Sequence, residues 1–240
     1  MPKHFFFDLD NTLTASRRRI EPAHAELFGK LCEAADVIVV TGGTAVHIRE
    51  QLTPAFEGRY LLLAQSGNHA IDKNGTELWY GPFSADQVAA TLSCIEILKK
   101  SFGLTVKDEN DLIDNRGAQI SYSVIGYHED PAKKDAFDPD FSKRRAMLDR
   151  FPKEIAALAK VGVEVFPAGS SGYNFTIIGK DKGANVGRLV SLKGWDKDEC
   201  IYIGDALGPG ENDASVIGVI PTKSVKDYHE TYEYLSSILV

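Results

Sequence analysis

The sequence predicts an α/β protein whose core is a doubly wound parallel sheet with an inserted α+β cap domain. Short apolar runs such as Phe5–Phe7, Val37–Val40 and Ile201–Ile203 each end in a polar or glycine-rich loop. Runs of this kind are typical of strands buried on both faces of a parallel sheet. The middle of the chain has a different element order, so it is predicted to be an insertion.

The first core elements can be placed in chain order. After the strand at Phe5–Phe7, the strand at Val37–Val40 leads into a helix over Ala45–Leu52. A further strand, Tyr60–Ala64, precedes a hairpin over Ile71–Trp79, where Asn-Gly marks the turn. The hairpin departs from the alternation of strands and helices in a doubly wound sheet.

The central segment alternates helices and strands. Its spacing predicts a helix over Ala85–Phe102, a strand over Gln119–Ile125 and a loop over His128–Asp140. A mostly helical stretch follows over Phe141–Lys160, and two further strands are predicted over Val163–Phe166 and Asn174–Ile178. The loop is predicted from its polar, proline-containing composition. We therefore divide the chain into a core of residues 1–83 and 180–240 and a cap of residues 84–179.

Composition limits the classes of function. A chain of 240 residues with 43% hydrophobic content can bury a large core, and its net charge of −7 argues against a nucleic-acid partner. The sequence contains no apolar run long enough to span a bilayer and no signal-peptide pattern, so we expect no membrane partner. Its three cysteines suit free thiols in the cytoplasm, and its six histidines have no recognisable ligand spacing. The oligomeric state stays open.

Two acidic clusters follow predicted strands. Asp8 and Asp10 come directly after Phe5–Phe7, and the loop after Ile203 contains Asp205 and Asp213. Carboxyl ends of parallel strands meet at one edge of a sheet, where carboxylates suit Mg²⁺. Either cluster alone could be a solvated turn. A calcium loop starting at Asp8 fails, because its sixth and twelfth positions hold Leu and Arg.

Two further segments predict a phosphate site. Thr41, Gly42 and Gly43 lie between a strand and a helix, where backbone N–H groups and a hydroxyl bind anions. Neither a G-x-G-x-x-G loop nor a Walker pattern is present. Lys182 precedes an amphipathic stretch, although a lone lysine in such a place is usually a surface residue.

In the order Asp-x-Asp, Thr, Lys and Gly-Asp…Asn-Asp, these segments resemble the haloacid dehalogenase superfamily of phosphotransferases. The resemblance implies that Asp8 is the nucleophile, that Asp10 is the general acid and base, and that Thr41 and Lys182 hold the phosphoryl oxygens. It also implies a Mg²⁺ site, whose ligands and neighbours would be Asp8, the Asp10 carbonyl, Asp205, Asn212 and Asp213. The sequence has Asn11 where Gly is commoner.

With the cap included, the chain is similar to eukaryotic-type phosphomannomutases. By that resemblance Arg17 and Arg116 would hold the distal phosphate and sugar of the substrate, and Asn174 falls where the family has an acidic sugar-binding residue. The chain departs from that family after Ile125-Gly126, where it has Tyr127 and lysines instead of further arginines. Only arginine grips a phosphate with a planar fork.

We therefore favour a phosphatase acting on a small phosphorylated metabolite over a mutase, and the resemblance above implies a sugar phosphate as substrate. A mutase must hold phosphate at both ends of the sugar. A receiver-type signalling domain, which also combines Asp, Thr and Lys around Mg²⁺, is much shorter than this chain and has a different motif order. A non-catalytic phosphate-binding relative is disfavoured by the intact Asp8, Asp10, Lys182 and Asp205.

Overall fold

The computed structural model describes residues 1–209 and 211–239. These residues fall into two compact units, Met1–Gly81 with Gly179–Val240, and Pro82–Ile178. Within the described residues, no helix is both long and apolar enough to cross a membrane. The two units are described separately.

The first unit contains a seven-stranded sheet in the order β11-β10-β1-β2-β3-β4-β5. Its first five strands in that order run parallel, and β4 and β5 continue the sheet as an antiparallel pair. The strands are β1 His4–Phe7, β2 Asp36–Val40, β3 Leu61–Ala64, β4 His69–Ile71, β5 Glu77–Tyr80, β10 Cys200–Gly204 and β11 Thr222–Ser224.

Helices cover both faces of this sheet. On one face, Phe5 and Phe7 of β1 pack in a core with side chains from three helices, α1 Pro22–Ala34, α2 Ala45–Leu52 and α8 Tyr228–Ile238. On the other face, Phe6 packs with Val186 and Leu189 of α7 Lys182–Lys193. Successive side chains of a strand point to opposite faces, so a continuous apolar strand is buried on both. The predicted doubly wound core is confirmed.

Several predicted elements of this unit are confirmed in detail. Helix α2 has the bounds that the sequence predicts, and β4 and β5 form the predicted hairpin. Gly75, at its tip, has φ of +80°, and the Asp72 carboxylate accepts hydrogen bonds from Asn74 N and Thr76 N. The Asn-Gly dipeptide therefore forms the turn because glycine adopts this backbone conformation without strain.

The second unit contains a four-stranded antiparallel sheet in the order β6-β7-β9-β8. One face of this sheet carries Ile120, Tyr122, Tyr173 and Phe175, which pack in a core with Leu98. Its strands and helices are α3 Ala85–Phe102, β6 Ile113–Asn115, β7 Ile120–Ser123, α4 Pro131–Phe137, α5 Ser142–Asp149, α6 Pro152–Lys160, β8 Val163–Ala168 and β9 Gly172–Ile177.

The predicted loop over His128–Asp140 is wrong, because it contains helix α4. The Asp130 carboxylate caps this helix by accepting from Ala132 N and Lys133 N, and Pro131 is its first residue. Proline is well tolerated at a helix start, where no intrahelical partner for its missing N–H is needed. The mostly helical prediction for Phe141–Lys160 is confirmed, with a break at Pro152.

Candidate active site

Asp8 lies at the end of β1, at the carboxyl edge of the parallel sheet. Its backbone N–H donates to the Ile203 carbonyl of β10 (3.0 Å), and its side chain is buried. The register of β1 with β2 and β10 places the loops after these three strands at the same edge. Asp8 and the loops that begin at Thr41 and Asp205 therefore share one edge of the sheet.

Lys182 is the cationic partner of Asp8. It is the first residue of α7, and its side chain is only 1% exposed. Its Nζ donates to Asp8 Oδ1 at 2.5 Å and to Asp213 Oδ1 at 2.6 Å. The next residue, Gly183, allows this position, because a Cβ there would lie 1.9 Å from the Ser215 carbonyl oxygen. Lys182 is thus a buried bridge between two carboxylates and not a surface lysine.

Asp213 is completely buried and is held from several sides. Its Oδ1 accepts from the Tyr202 hydroxyl at 2.8 Å as well as from Lys182. Gly204 makes room for the carboxylate, because a Cβ at that position would lie 2.3 Å from Asp213 Oδ2. That Oδ2 atom is buried and has no hydrogen-bond partner. A buried carboxylate oxygen without a partner is costly unless a cation or a donor completes the site.

Asp205 completes an acidic group that we call the acidic triad, Asp8, Asp205 and Asp213. One carboxylate oxygen from each lies within 4.8 Å of the other two. Thr12 positions Asp205 through two contacts, since its hydroxyl donates to Asp205 Oδ1 (3.2 Å) and accepts from Asp205 N (3.1 Å). Three converging carboxylates and an unpartnered buried oxygen fit a hard divalent cation such as Mg²⁺.

Burial and neighbouring charges shift the pKa values of Asp8, Asp205 and Lys182. Burial raises the pKa of Asp8 above its ordinary range; Lys182 opposes this shift, whereas Asp213 and Asp205 add to it. Burial and the charge of Asp213 likewise raise the pKa of Asp205. Burial lowers the pKa of Lys182, but the charges of Asp8 and Asp213 outweigh it and hold that pKa above its usual value. The lysine therefore stays protonated, and a cation bound between the carboxylates would favour their ionised forms.

Asp10 has a different environment from Asp8. Its side chain is outside the acidic triad, and its Oδ1 accepts a hydrogen bond from Arg17 N at 2.7 Å. Between Asp10 and Arg17 the chain turns at Asn11, whose φ of 59° is in the left-handed region. Asparagine tolerates this region better than most residues with a side chain, which explains how it can stand where glycine is commoner.

Thr41, Gly42 and Gly43 follow β2 directly. Gly43 N donates to Thr41 Oγ1 at 3.2 Å, and Thr44 caps α2 by accepting from His47 N at 3.4 Å. Thr41 is buried, with the loop after β3 beside it, since Ser66 N donates to the Thr41 carbonyl. The segment is the strand-to-helix turn that the sequence predicts.

The remaining predicted site residues are more dispersed. Arg17 is exposed, and Asn212 is exposed beside the buried Asp213. Arg116 and Asn174 belong to the second unit. Arg116 Nε donates to Asp114 Oδ2 at 2.7 Å, and Asn174 Oδ1 accepts from the Ser121 hydroxyl at 2.7 Å.

Three contributors to the site were missed from the sequence. Tyr202 lies in a run that predicts an apolar strand, and the sequence does not mark Thr12 or Asn185 as site residues. The Asn185 amide donates to the carbonyls of Ser66 and Asp181, at 3.0 and 3.1 Å, and so connects the loop after β3 to the start of α7. The only sequence signal for Tyr202 is its place three residues before Asp205.

Comparisons with known proteins identify the relatives of the chain. Phosphomannomutase from Triticum aestivum is 25% identical over 229 residues, which cover 88% of this chain and 84% of that protein. A probable phosphomannomutase from Caenorhabditis elegans is 24% identical over 257 aligned residues, which cover 97% of this chain and 94% of that protein.

Solved structures share the fold at low identity. A haloacid dehalogenase-like hydrolase from Bacteroides thetaiotaomicron superimposes with a TM-score of 0.68 at 17% identity, covering 99% of this chain and 100% of that one. An IMP-bound mutant of IMP-nucleotidase from Plasmodium falciparum superimposes with a TM-score of 0.71 at 17% identity, covering 99% of this chain and 68% of that one. The haloacid dehalogenase-like hydrolase family matches residues 5–220. The chain belongs to this family of enzymes.

Proposed function

We propose that this enzyme is a Mg²⁺-dependent phosphohydrolase that acts on a small phosphorylated metabolite of the sugar-phosphate class, through an aspartyl-phosphate intermediate on Asp8. The observation that carries the proposal is the buried arrangement of Lys182 between Asp8 and Asp213, with Asp205 completing the acidic triad. Phosphoryl transfer depends mainly on positioning and on neutralising charge, and this arrangement serves both.

The proposed reaction has two half-reactions. The Asp8 carboxylate attacks phosphorus, the bond to the leaving oxygen breaks, and Asp10 donates a proton to that oxygen. In the second half-reaction Asp10 removes a proton from water, the water attacks the acyl phosphate, and phosphate leaves with Asp8 restored. The half-buried Asp10 suits proton exchange, because it lies outside the ion-paired triad.

Other groups would hold the substrate. We expect Lys182 and the Thr41–Gly43 segment to donate to phosphoryl oxygens. Asp8, Asp205 and Asp213, with the Asp10 carbonyl, would hold Mg²⁺. When bound, the cation would neutralise charge on the transferring phosphoryl group.

The cap sheet supports a phosphatase with one phosphate to hold. In the second unit, the face of β7 and β9 that points away from the hydrophobic core carries neutral polar side chains, including Ser121, Ser123 and Asn174. Neutral hydrogen-bonding groups suit sugar hydroxyls better than a second phosphate. Arg144 is fully buried, with Nε donating to Asp138 at 2.8 Å, so that cap arginine is committed to the fold.

The second candidate is a hexose-phosphate mutase. It is favoured by the curated relatives, which are named phosphomannomutases and align with nearly the whole chain. In that reaction the acyl phosphate on Asp8 would pass to a sugar hydroxyl instead of to water.

One experiment tests both candidates. The purified chain is assayed in Mg²⁺ against sugar and nucleotide monophosphates, with and without a hexose bisphosphate, while released phosphate and isomerised sugar are measured separately. We expect phosphate release. Isomerisation that requires the bisphosphate, with little free phosphate, would instead establish the mutase.

The nucleophile is tested in the same assay. Asp8→Asn is expected to lower kcat by several orders of magnitude, because an amide cannot form the acyl phosphate. Asp72→Asn is the matched control, since Asp72 only caps the turn between β4 and β5. Near-normal turnover by Asp8→Asn, with its fold intact, would refute the assignment.

A further inference from the structure

A second group of metal-ligating side chains lies in the first unit and shares no residue with the acidic triad. It consists of Glu21, which precedes α1, His24 in the first turn of α1, and His229 in the first turn of α8. One ligand atom from each lies within 4.8 Å of the other two. Helices α1 and α8 pack against each other, so the fold brings the three residues together although they are far apart in sequence.

The ring of His24 is held in place by aromatic neighbours. It stacks on Tyr232 with ring centroids 4.1 Å apart and an interplanar angle of 2°. It also packs nearly perpendicular to the Tyr228 ring, with centroids 5.6 Å apart. Its Nδ1 atom is buried and has no hydrogen-bond partner. The nearest acidic atom, Glu21 Oε2, is 3.7 Å away, which is too far for a hydrogen bond. A fixed imidazole therefore carries a nitrogen whose bonding capacity is unused.

The Glu21 carboxylate is also oriented. The Tyr228 hydroxyl donates to its Oε1 at 3.0 Å, and its Oε2 faces His24. Hydrogen bonds of this kind commonly orient carboxylate ligands in metal sites.

We propose that Glu21, His24 and His229 bind a divalent transition-metal ion, with Zn²⁺ the best match. Two imidazoles and one carboxylate are ligands that Zn²⁺ prefers, whereas Mg²⁺ and Ca²⁺ prefer oxygen ligands alone. Glu21 and His229 are exposed, so their side chains can close on an ion held by the fixed ring of His24. The ion would join the start of α1 to the start of α8 and stabilise the first unit.

The test is a Zn²⁺ titration of the full chain by calorimetry, in excess Mg²⁺, combined with thermal unfolding. We expect one Zn²⁺ site in the wild type, and at about 100 times its Kd a rise in Tm of roughly 5–10 °C. His229→Asn and Glu21→Gln change exposed side chains and are each expected to weaken Zn²⁺ binding at least about tenfold, the scale on which lost metal contacts act.

Two control variants locate the ion. His128→Asn changes an exposed histidine that contacts Asp111 in the second unit, and it is expected to leave Zn²⁺ binding unchanged. Asp213→Asn alters the acidic triad, and it too is expected to keep this site. Zn²⁺ affinity that is unaffected by His229→Asn and Glu21→Gln, or that is lost only in Asp213→Asn, would overturn the proposal. So would a wild type that does not bind Zn²⁺.

Discussion

Replacing Lys182 by Met removes the cation from the acidic triad while keeping an unbranched side chain of similar length. The ammonium is 1% exposed and donates to Asp8 at 2.5 Å and to Asp213 at 2.6 Å. Hydrogen bonds between charged groups contribute about 1.5–3 kcal/mol each, so two of them suggest a loss of about 3–6 kcal/mol. Breaking a buried ion pair by removing one partner costs about 3–5 kcal/mol, which agrees with the loss suggested by the two hydrogen bonds.

The assay is thermal and denaturant unfolding in EDTA, so that no added cation compensates for the missing lysine. At about 2–4 °C for each kcal/mol, a loss of about 3–5 kcal/mol is expected to lower the Tm of Lys182→Met by roughly 6–20 °C. Asp213→Asn removes one of the two carboxylates that Lys182→Met leaves without an ion-pair partner. The double variant is therefore expected to lose less stability than the sum of the losses in the two single variants.

Lys30→Met is the matched control. Lys30 pairs with Glu26 at 2.8 Å on an exposed face of α1, where an ion pair contributes little. We expect no measurable change in its Tm. A loss below about 1 kcal/mol in Lys182→Met, in the range of surface pairs, would refute the view that Lys182 neutralises a buried acidic site.

Three further predictions concern the metal, the cap and acid stability. Asp205→Ala is expected to raise the Mg²⁺ concentration needed for activity, and full activity of the wild type in EDTA would contradict the metal site. Arg116→Ala is expected to raise KM for a phosphosugar but not for para-nitrophenyl phosphate, with the exposed Arg145→Ala as control; equal effects on both substrates would exclude substrate binding by Arg116. Burial would raise the pKa of Asp138, but hydrogen bonds from Arg144 hold it below its usual value. Since the pKa of Asp138 is lower in the folded than in the unfolded chain, its ion pair stabilises the fold fully above the ordinary aspartate range. Unfolding measurements should show this stabilisation lost as the pH falls below that range; stability that does not change in acid would contradict this.

The parallel core could be predicted from the sequence because each central strand is a local apolar run that ends in a recognisable loop. Phe5–Phe7 are buried on both faces of the sheet, as are Tyr202 and Ile203, and no tertiary information is needed to recognise such runs. The meeting of Asp8 with Asp205 then follows from topology, because parallel strands end at one edge.

Elements whose local signals conflict were not predictable in the same way. Helix α4 is polar and contains proline, which favoured a loop, yet Asp130-Pro131 is also a helix-start signal. The short edge strands β6 and β11 have three residues each and no clear alternation. In such segments tertiary pairing decides the structure, so the sequence alone left them unassigned.

Contacts between residues far apart in the chain were also beyond the sequence. Tyr202 has the pattern of a core aromatic in β10, and only the structure shows its hydroxyl on Asp213. His24 and His229 have no ligand spacing in the sequence, because helix packing brings them together. Spacing rules detect ligands within one loop or helix and cannot detect ligands on two helices.

The two aspartates of the first loop illustrate how the fold gives identical side chains different properties. Asp8 is buried and shares Lys182 with Asp213, whereas Asp10 accepts a hydrogen bond from a backbone amide in the following turn. The left-handed conformation of Asn11 turns the chain between Asp10 and the rest of that loop. A nucleophile needs fixed position and charge, and a proton carrier needs access to water and to the leaving oxygen. The division of roles proposed for Asp8 and Asp10 therefore follows from their different partners.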